Sequence, residues 1–484
     1  MLKDIGHSSE NITLSICVLQ PDYSTSNVDY QHFDPARNLS GLIENSTVDH
    51  VFLNKLTTYK QLKALSKKNY DIFVNLCEGY LEWEVPSIDV IYFLETLNLP
   101  FTGPSSMLYD PTKELMKYVA YTEGVKTPPY ALIENLEDIE TSCNHLRYPL
   151  FVKPAKAGDS LGIDHQSLVT NEESLKIKTV SIIDEHGAAL VEEYIDGREF
   201  TVLVVANPSN LKTPIVFDPI EYVFPAEYNF KTYSLKTSEL HPGSNIPVKE
   251  KEIIQALKDA SASIFNGFGG VGYARLDFRM NGNGELFFLE INFTCSVFYE
   301  NGYEGSADYI LKYNGTDRGD FLKMIVEEGI SRHQKKQKLY TIKGNAIDGY
   351  GIYAARTINK NEIIFKGEER SQRIATLSYI KAHWSVKELE NFRKYAYPIS
   401  NEVFLLWDEN PSEWAPQNHS CDPNTAYKGL DVLAVRTIQK NEELTLNYAA
   451  FLGEDMEPFQ CKCGSQNCTG YIKGTKNNSV SNRI

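Results

Sequence analysis

No apolar run in the 484 residues reaches the length a helix needs to cross a bilayer. The first residues, MLKDIGHSSENITLSICVL, put polar side chains where a secretory signal needs an apolar core. The expectation is a soluble, cytoplasmic chain with no membrane partner. Cysteine is scarce: eight in a chain this long, without a secretory signal, do not make a disulfide framework and leave thiols for another use. Positive charge is in deficit, 48 Lys+Arg against 64 Asp+Glu, for a net charge of −16. The deficit is confined: residues 341–484 hold 17 of each sign, which leaves 31 basic and 47 acidic side chains in residues 1–340. Such an acidic surface argues against direct nucleic-acid binding, yet permits a small anionic ligand in a local pocket. The remainder, 42% hydrophobic and 23% charged residues, is a globular composition. By length it divides into about two to four domains.

The most informative stretch is GYARLDFRMNGNGELFFLEINFTCS, Gly272 to Ser296. Two runs with strand character, Ala274 to Met280 and Leu286 to Ile291, flank an Asn-Gly-Asn-Gly turn and predict a β-hairpin. Glu290 and Asn292 are two apart and share a face, and pairing can bring Asp277 opposite them. That gives three hard oxygen ligands suited to magnesium beneath a polyphosphate. Upstream, the apolar runs Ile12–Leu19, Val48–Leu53 and Asp71–Leu76 alternate with helix-like stretches at Tyr59–Asn69 and Pro86–Leu97, predicting a small parallel sheet with crossover helices. Asn75 to Gly79, at the end of its third strand, is either a ligand-binding turn or an ordinary one. LYDPTKELMKYVAYTEGVKTPPY predicts a helix capped by Asp110 or Thr112, closed at Gly124 and carrying Lys117. In FVKPAKAGDSLGI, Lys153 ends a strand and Gly158, Asp159, Ser160 and Gly162 form a loop able to turn N–H groups toward phosphates. In VEEYIDGREF, Glu192, Ile195 and Glu199 can meet the amino edge, ring face and ribose hydroxyls of a nucleotide.

A helix lysine, V-K-P with a Gly/Ser loop, E-x-Y-I-x-G-x-E, R-x-D and E-x-N, in that order, resemble the ATP-grasp ligases, most closely the D-alanine–D-alanine ligase type, over roughly residues 10–330. The resemblance implies that Lys117, Lys153 and Ser160, with its loop as a lid, hold ATP phosphates, and that Glu192, Ile195 and Glu199 hold adenine and ribose. Asp277, Glu290 and Asn292 would hold Mg2+, and Arg275, on the same strand face, would stabilise the oxyanion formed when an amine attacks an acyl phosphate. Two departures stand out. The serine- and glutamate-bearing Gly-rich loop of dipeptide-forming members is replaced by LQPDYSTSNVDY, and their Pro-Gly gives way to Cys295-Ser296. The carboxylate and amine substrates are therefore expected to be other than D-alanine.

Ser331 to Tyr340 is polar and basic, and is read as a junction. Beyond it come GNAIDGYGIYAARTINKNEIIF, NHSCDPN (Asn418 to Asn424), EELTLNY, and a tail with Cys461, Cys463 and Cys468. The C-x-C-x4-C spacing suits a tetrahedral zinc with Cys421 as fourth ligand. The combination resembles a SET-domain protein methyltransferase with its post-SET zinc loop, over roughly residues 338–474. It implies that Gly349, Tyr350, Gly351, Asn418 and His419 bind S-adenosyl-L-methionine and that Tyr448 and Tyr427 line the channel for a substrate lysine. Desolvating the ammonium of that lysine, whose free pKa is about 10.4, helps it lose its proton before in-line attack.

The fold expected is multidomain. An α/β pre-ATP-grasp domain (1–100) precedes an α+β ATP-grasp domain (101–330), a linker (331–340), a mainly β SET domain (341–455) and a zinc-bound post-SET tail (456–474). The function expected is a carboxylate–amine ligase fused to a protein-lysine methyltransferase, with ATP, Mg2+, S-adenosyl-L-methionine and Zn2+ as cofactors. Its partners would be a lysine-bearing protein or peptide and small carboxylate and amine substrates, with homodimerisation through the ATP-grasp part. The alternative is a methyltransferase whose ATP-grasp part is a non-catalytic module that binds nucleotide or substrate.

Overall fold

In the computed structural model the described residues are 13–26, 34–79, 84–156, 160–210, 212–226, 228–232, 235, 242–345, 349–367, 372–400, 402–407, 417–451 and 457–474. They form two compact units, 1–335 and 336–484. No helix among the described residues is long and apolar enough to cross a membrane.

The first unit begins with three parallel strands, β1 (Leu14–Asp22), β2 (Ser46–Asn54) and β3 (Ile72–Asn75), ordered β2-β1-β3. Alternation along β1 sends Cys17 and Leu19 to a cluster with helices α1 (Thr58–Leu65) and α2 (Ile88–Thr96). Ile16 and Val18 go to the opposite cluster, so the strand reads as a continuous apolar run because both its faces are buried. Helix α3 (Lys113–Thr122) is capped by Thr112, whose side chain accepts from Leu115 N, and its C-cap Glu123 is followed by Gly124 at φ 72.

A four-stranded antiparallel sheet follows: β4 (Tyr130–Ile133), β5 (Leu150–Pro154), β6 (Leu168–Val169) and β7 (Ala189–Glu193), ordered β4-β7-β5-β6. One face packs Ile133, Val152 and Val191 against Leu175 and Ile182 of α5 (Glu172–His186), and the short α4 (Ile139–Cys143) adds Ile139. The third sheet has order β11-β10-β8-β12-β13, with β9 (Ile215–Val216) on β8 (Gly197–Val205). Its other strands are β10 (Ile220–Tyr222), β11 (Asn245–Pro247), β12 (Tyr273–Asn281) and β13 (Leu286–Asn292). Phe200, Val202, Leu276 and Phe278 cover α6 (Lys251–Gly267) on one face, which releases the alternate residues to a polar face.

Helices α7 (Ser306–Tyr313) and α8 (Arg318–Lys336) complete the unit. Phe321, Leu322 and Ile325 of α8 share one core with Ile16 and Val74 of the first sheet and Val205 and Tyr273 of the third. The boundary between the two units, 335/336, falls inside the stretch read as a junction, whose first residues, Ser331–Lys336, are the helical C-terminal end of α8. Its polar look misleads because Glu328 is buried and Arg332 donates to the carbonyls of Phe101 and Gly103 at 2.6 and 2.8 Å.

The second unit is mainly β. A hairpin of β14 (Tyr340–Asn345) and β15 (Gly349–Ala354) opens it. Two three-stranded sheets follow, β16 (Ile363–Phe365) with β22 (Asp431–Ala434) and β21 (Thr425–Lys428), and β17 (Gln372–Thr376) with β19 (Val403–Trp407) and β18 (Tyr397–Pro398). Between β17 and β18 lie α9 (Leu377–His383) and α10 (Val386–Tyr395). The parallel pair β20 (Asn418–His419) and β23 (Thr445–Leu446), and the antiparallel pair β24 (Phe459–Gln460) and β25 (Tyr471–Ile472), close the unit.

Gly272, at φ 67 just before β12, lies so close to another backbone segment that an added Cβ would meet the Gly103 carbonyl carbon and oxygen at 2.5 Å. Gly272→Ala is expected to destabilise the first unit by about 1–3 kcal/mol or more, read as a lowered urea midpoint. An unchanged midpoint would show that the two segments yield without cost.

Candidate functional site

Register builds the floor of the first site. Asp277 pairs with Glu290 and Arg275 with Asn292 across β12 and β13, while Asp277 pairs with Thr201 and Arg279 with Glu199 across β12 and β8. Directly opposed residues share a face, so these side chains gather on the polar side of the third sheet. Thr201 Oγ1 donates to Asp277 Oδ1 at 2.7 Å, and Arg275 Nη2 lies 3.4 Å from Asp277 Oδ2. Glu290 Oε2 is 3.1 Å from Lys113 Nζ of α3. Asn292 Oδ1 accepts from Thr294 N at 2.8 Å and fixes the turn after β13.

The second sheet supplies the facing wall. Glu192 of β7, 3% exposed, is held between Lys117 Nζ and Lys153 Nζ, each 2.5 Å from one of its oxygens. Burial alone would push this carboxyl up, but the two lysines outweigh it and hold its pKa at about 2. Lys117 also donates to the Pro128 carbonyl at 3.3 Å and lies over the Tyr130 ring; burial pulls its own pKa below the ordinary lysine value.

Between these walls is a cavity of about 810 Å³ counting its open mouth. It is lined by the predicted residues Lys153, Ser160, Glu192, Ile195, Glu199, Asp277 and Glu290. Lys117 does not line it: the α3 lysine that reaches the cavity is Lys113, one turn earlier on the same face. Two further lining cations were missed by sequence reasoning. Lys231 pairs with Glu199 Oε1 at 2.9 Å, and nothing in its polar segment marked it. Arg279 pairs with Glu199 Oε2 at 3.4 Å and donates to the Ile195 carbonyl; its place two residues after Asp277 on the same strand was the available signal. Phe151, Phe230 and Leu289 add apolar wall. Ser160 adopts φ 59 and Gly162 φ 74, whereas Gly158 and Asp159 lie outside the described residues. Asn292 and Arg275 share the sheet face but do not line the cavity; its converging cations, facing carboxylates Asp277 and Glu290, and apolar wall fit a polyphosphate nucleotide with a hard divalent cation.

In the second unit, Asn418 Nδ2 donates to the Tyr350 carbonyl and to Glu443 Oε1, both at 2.8 Å, which ties β20 to the Gly349–Gly351 strand. Tyr448 hydroxyl donates to the Gln417 carbonyl at 2.5 Å. The Tyr448 and Tyr427 rings both pack on Phe451, with centroids 5.4 and 5.3 Å away. Phe451, three residues after Tyr448, joins this group because the chain takes a 3₁₀ turn over Tyr448–Ala450, with Phe451 N donating to Tyr448 O at 3.1 Å. The absence of an aromatic two residues after Tyr448 had hidden it. The His419 ring is turned away from Asn418, accepting from Tyr448 N at 3.1 Å on Nδ1, and burial holds its pKa below the ordinary histidine value.

Sγ atoms of Cys421, Cys461, Cys463 and Cys468 lie within 4.8 Å of one another. Around a tetrahedral zinc with Zn–S of about 2.3 Å, neighbouring sulfurs stand about 3.8 Å apart; Cys421 and Cys461 are separated by 3.9 Å. Backbone N–H groups of Thr469, Cys463 and Gly470 point at the sulfurs of Cys421, Cys461 and Cys468 at 3.5, 3.5 and 3.4 Å. Four clustered sulfurs met by backbone donors fit a soft divalent cation. Burial opposes ionisation at Cys463, but hydrogen bonds outweigh it and bring that thiol down to about 5, while burial pushes Cys461 up to about 12.

Fold and sites together define a two-part chain, an ATP-grasp-like unit followed by a SET domain. Residues 119–298 match the family described as D-ala D-ala ligase C-terminus, and residues 349–449 match the SET domain. The D-alanine–D-alanine ligase of Enterococcus hirae is 30% identical over 263 residues, covering 51% of this chain and 68% of the relative. An uncharacterised protein of Sinorhizobium fredii is 30% identical over 250 residues, covering 50% and 71%. The crystal structure of D-alanine–D-alanine ligase from Bacillus anthracis complexed with ATP superposes with TM-score 0.50 at 18% identity, covering 67% of this chain and all of that one, a likeness of fold. The chain belongs to the D-alanine–D-alanine ligase family and carries a SET domain fused behind it.

Replacing Glu192 by Gln leaves two lysines facing each other in a buried site. Glu192→Gln is expected to cost the first unit about 3–5 kcal/mol in urea unfolding at neutral pH. The sign with pH follows from the depressed pKa. The stabilisation is complete above the unfolded value of 4.5 and is lost as pH falls toward about 2. Wild type and variant should therefore converge across that acid range, and a gap independent of pH would contradict the assignment.

Proposed function

We propose that the first unit is an Mg-ATP-dependent carboxylate–amine ligase and the second an S-adenosyl-L-methionine-dependent protein-lysine methyltransferase. The observation that carries the ligase reading is the alignment of Arg275, Asp277, Glu290 and Asn292 on one sheet face below a cavity lined by Lys113, Lys153 and Lys231. When bound, Mg-ATP supplies a phosphoryl group that activates a carboxylate as an acyl phosphate. Lys113, Lys153 and Lys231 neutralise the phosphates, with Lys117 behind them fixing Glu192 and thereby Lys153. Glu192, Ile195 and Glu199, with Phe230, meet base and ribose, and Ser160 closes on the phosphates. Asp277, Glu290 and Asn292 would hold magnesium, with the Lys113 contact of Glu290 the one to give way. Arg275 stabilises the oxyanion as the amine attacks.

Glu290→Gln keeps the shape and removes one metal charge. Calorimetry with a nonhydrolysable ATP analogue should show magnesium-dependent affinity falling about tenfold or more, a loss of roughly 1.4 kcal/mol. Unchanged affinity would remove Glu290 from the metal site. Phosphate release across a panel of carboxylates, amino acids and peptides then identifies substrates. D-alanine is expected to give no robust release, because the substrate loop and the Pro-Gly of dipeptide-forming ligases are absent. Nucleotide binding without release on any pair would favour the non-catalytic module.

In the second unit Gly349, Tyr350, Gly351, Asn418 and His419 form the methyl-donor site, the last through its backbone because its ring is committed elsewhere. The cysteine quartet holds zinc, and Tyr448, Tyr427 and Phe451 line the lysine channel. The phenol oxygens orient the amine and accept weak contacts from the methyl hydrogens, an effect of position and electrostatics. Tyr448→Phe keeps the ring contacts and loses the oxygen. Transfer to a lysine-rich peptide should slow about 10- to 1000-fold, roughly 1.4–4 kcal/mol, with stability falling by only about 1 kcal/mol. Undiminished transfer would remove Tyr448 from the channel.

A further inference from the structure

The geometry points to a second role for this part of the chain: we propose that the His419 imidazole is a positioning residue that links the cysteine quartet to the Tyr448 backbone. This deepens the methyltransferase reading and rests on it. Three observations carry it. Tyr448 N donates to His419 Nδ1 at 3.1 Å. His419 Nε2 stands 3.4 Å from Cys421 Sγ. The ring is only 8% exposed, enclosed by the rings of Tyr448 and Phe459 at 5.9 and 5.6 Å.

These contacts fix the tautomer. A backbone N–H can only donate, so Nδ1 is the bare acceptor nitrogen and the ring proton of the neutral imidazole sits on Nε2. Nε2–H then faces a sulfur that already receives Thr469 N–H at 3.5 Å, so two donors converge on the Cys421 sulfur. The imidazole thus holds a metal ligand at one end and the first residue of the Tyr448–Ala450 turn at the other. Pairing of Asn418–His419 with Thr445–Leu446 fixes the ring's base on the neighbouring strand. Charge drawn from the Cys421 sulfur and the placement of the Tyr448 phenol become one mechanical unit. A partner of a metal ligand of this kind commonly changes metal affinity about 10- to 100-fold when removed.

The test uses the full chain. Zinc affinity is measured by competition with a chromophoric chelator, and methyl transfer to a lysine-rich peptide is followed in parallel. His419→Leu, which removes both contacts, should bind zinc about 10- to 100-fold more weakly. Its kcat should fall about tenfold, because the ring holds the Tyr448 turn. His419→Gln, with one donor and one acceptor, should recover part of both losses. In nitrogen NMR of the wild-type chain with isotope-labelled histidine, His419 should show a bare Nδ1 and a protonated Nε2 whose proton shifts when chelator removes zinc. That measurement keeps the question open to refutation even if the leucine variant does not fold. A wild-type chain that binds zinc while His419→Leu binds it equally well, or a His419 ring protonated on Nδ1, would overturn the link alone. A wild-type chain that takes up no zinc would overturn the metal reading and the link with it.

Discussion

The register of β12 between β8 and β13 is the constraint on which the first unit's site depends. Apolar residues at every second position of β8 and β12 pack on α6, and their alternates on the other face are Glu199, Thr201, Arg275, Asp277 and Arg279. A slip of one residue would drive two arginines and three carboxylate or hydroxyl groups into that apolar cluster and expose Phe200, Leu276 and Phe278. Burying one unpaired charge costs several kcal/mol, so the hydrophobic face selects the polar one. The irregularity between Asp277 and Phe278 allows Asp277 to face Glu290 while Phe278 faces Phe288, so both faces remain in phase beyond it.

With the backbone so fixed, the charges are arranged in chains instead of isolated pairs. Glu192 lies between Lys117 and Lys153, Glu199 between Lys231 and Arg279, and Asp277 between Thr201 and Arg275. Each carboxylate has partners on two sides, and at Glu192 the two lysines outweigh burial and hold the carboxyl at about 2. The same arrangement anchors the cations that line the cavity, Lys153 through Glu192, Lys231 through Glu199, and Arg279 through Glu199 and the Ile195 carbonyl. An anionic ligand therefore meets donors whose direction is set before it arrives, which lowers the entropy lost on binding.

Much of this was legible in the sequence where local pattern and chemistry coincide. The hairpin, its turn and the Asp277–Glu290–Asn292 set followed from alternation and an Asn-Gly turn, and the cysteine quartet followed from spacing together with NHSC. The part that was not legible is the part decided by direction in space. Lys113 and Lys117 are equivalent in a linear pattern, since positions four apart share a helix face. Only the approach of Tyr130 and Glu192 to one and of Glu290 to the other separates them. Lys231 lies in a segment without periodicity and acquires its place through Glu199, a residue 32 positions earlier. Phe451 was hidden because a linear reading counts residues, whereas a 3₁₀ turn decides which of them fold back.

The two candidate centres use opposite means to hold charge. The ligase-type site gathers hard oxygen atoms among fixed cations, and these cations already compensate the carboxylates, Lys113 at Glu290 and Arg275 at Asp277. A divalent ion entering there must displace a contact, so its hold is moderated and it can leave with a nucleotide. Among the described residues the cysteine quartet is met by N–H and O–H donors, with hydrogen bonds bringing Cys463 down and burial pushing Cys461 up. A soft divalent cation bound there would be held by four sulfurs at once. The two candidate centres of this chain therefore differ in ligand chemistry, oxygen with compensating lysine and arginine in one and clustered sulfur in the other.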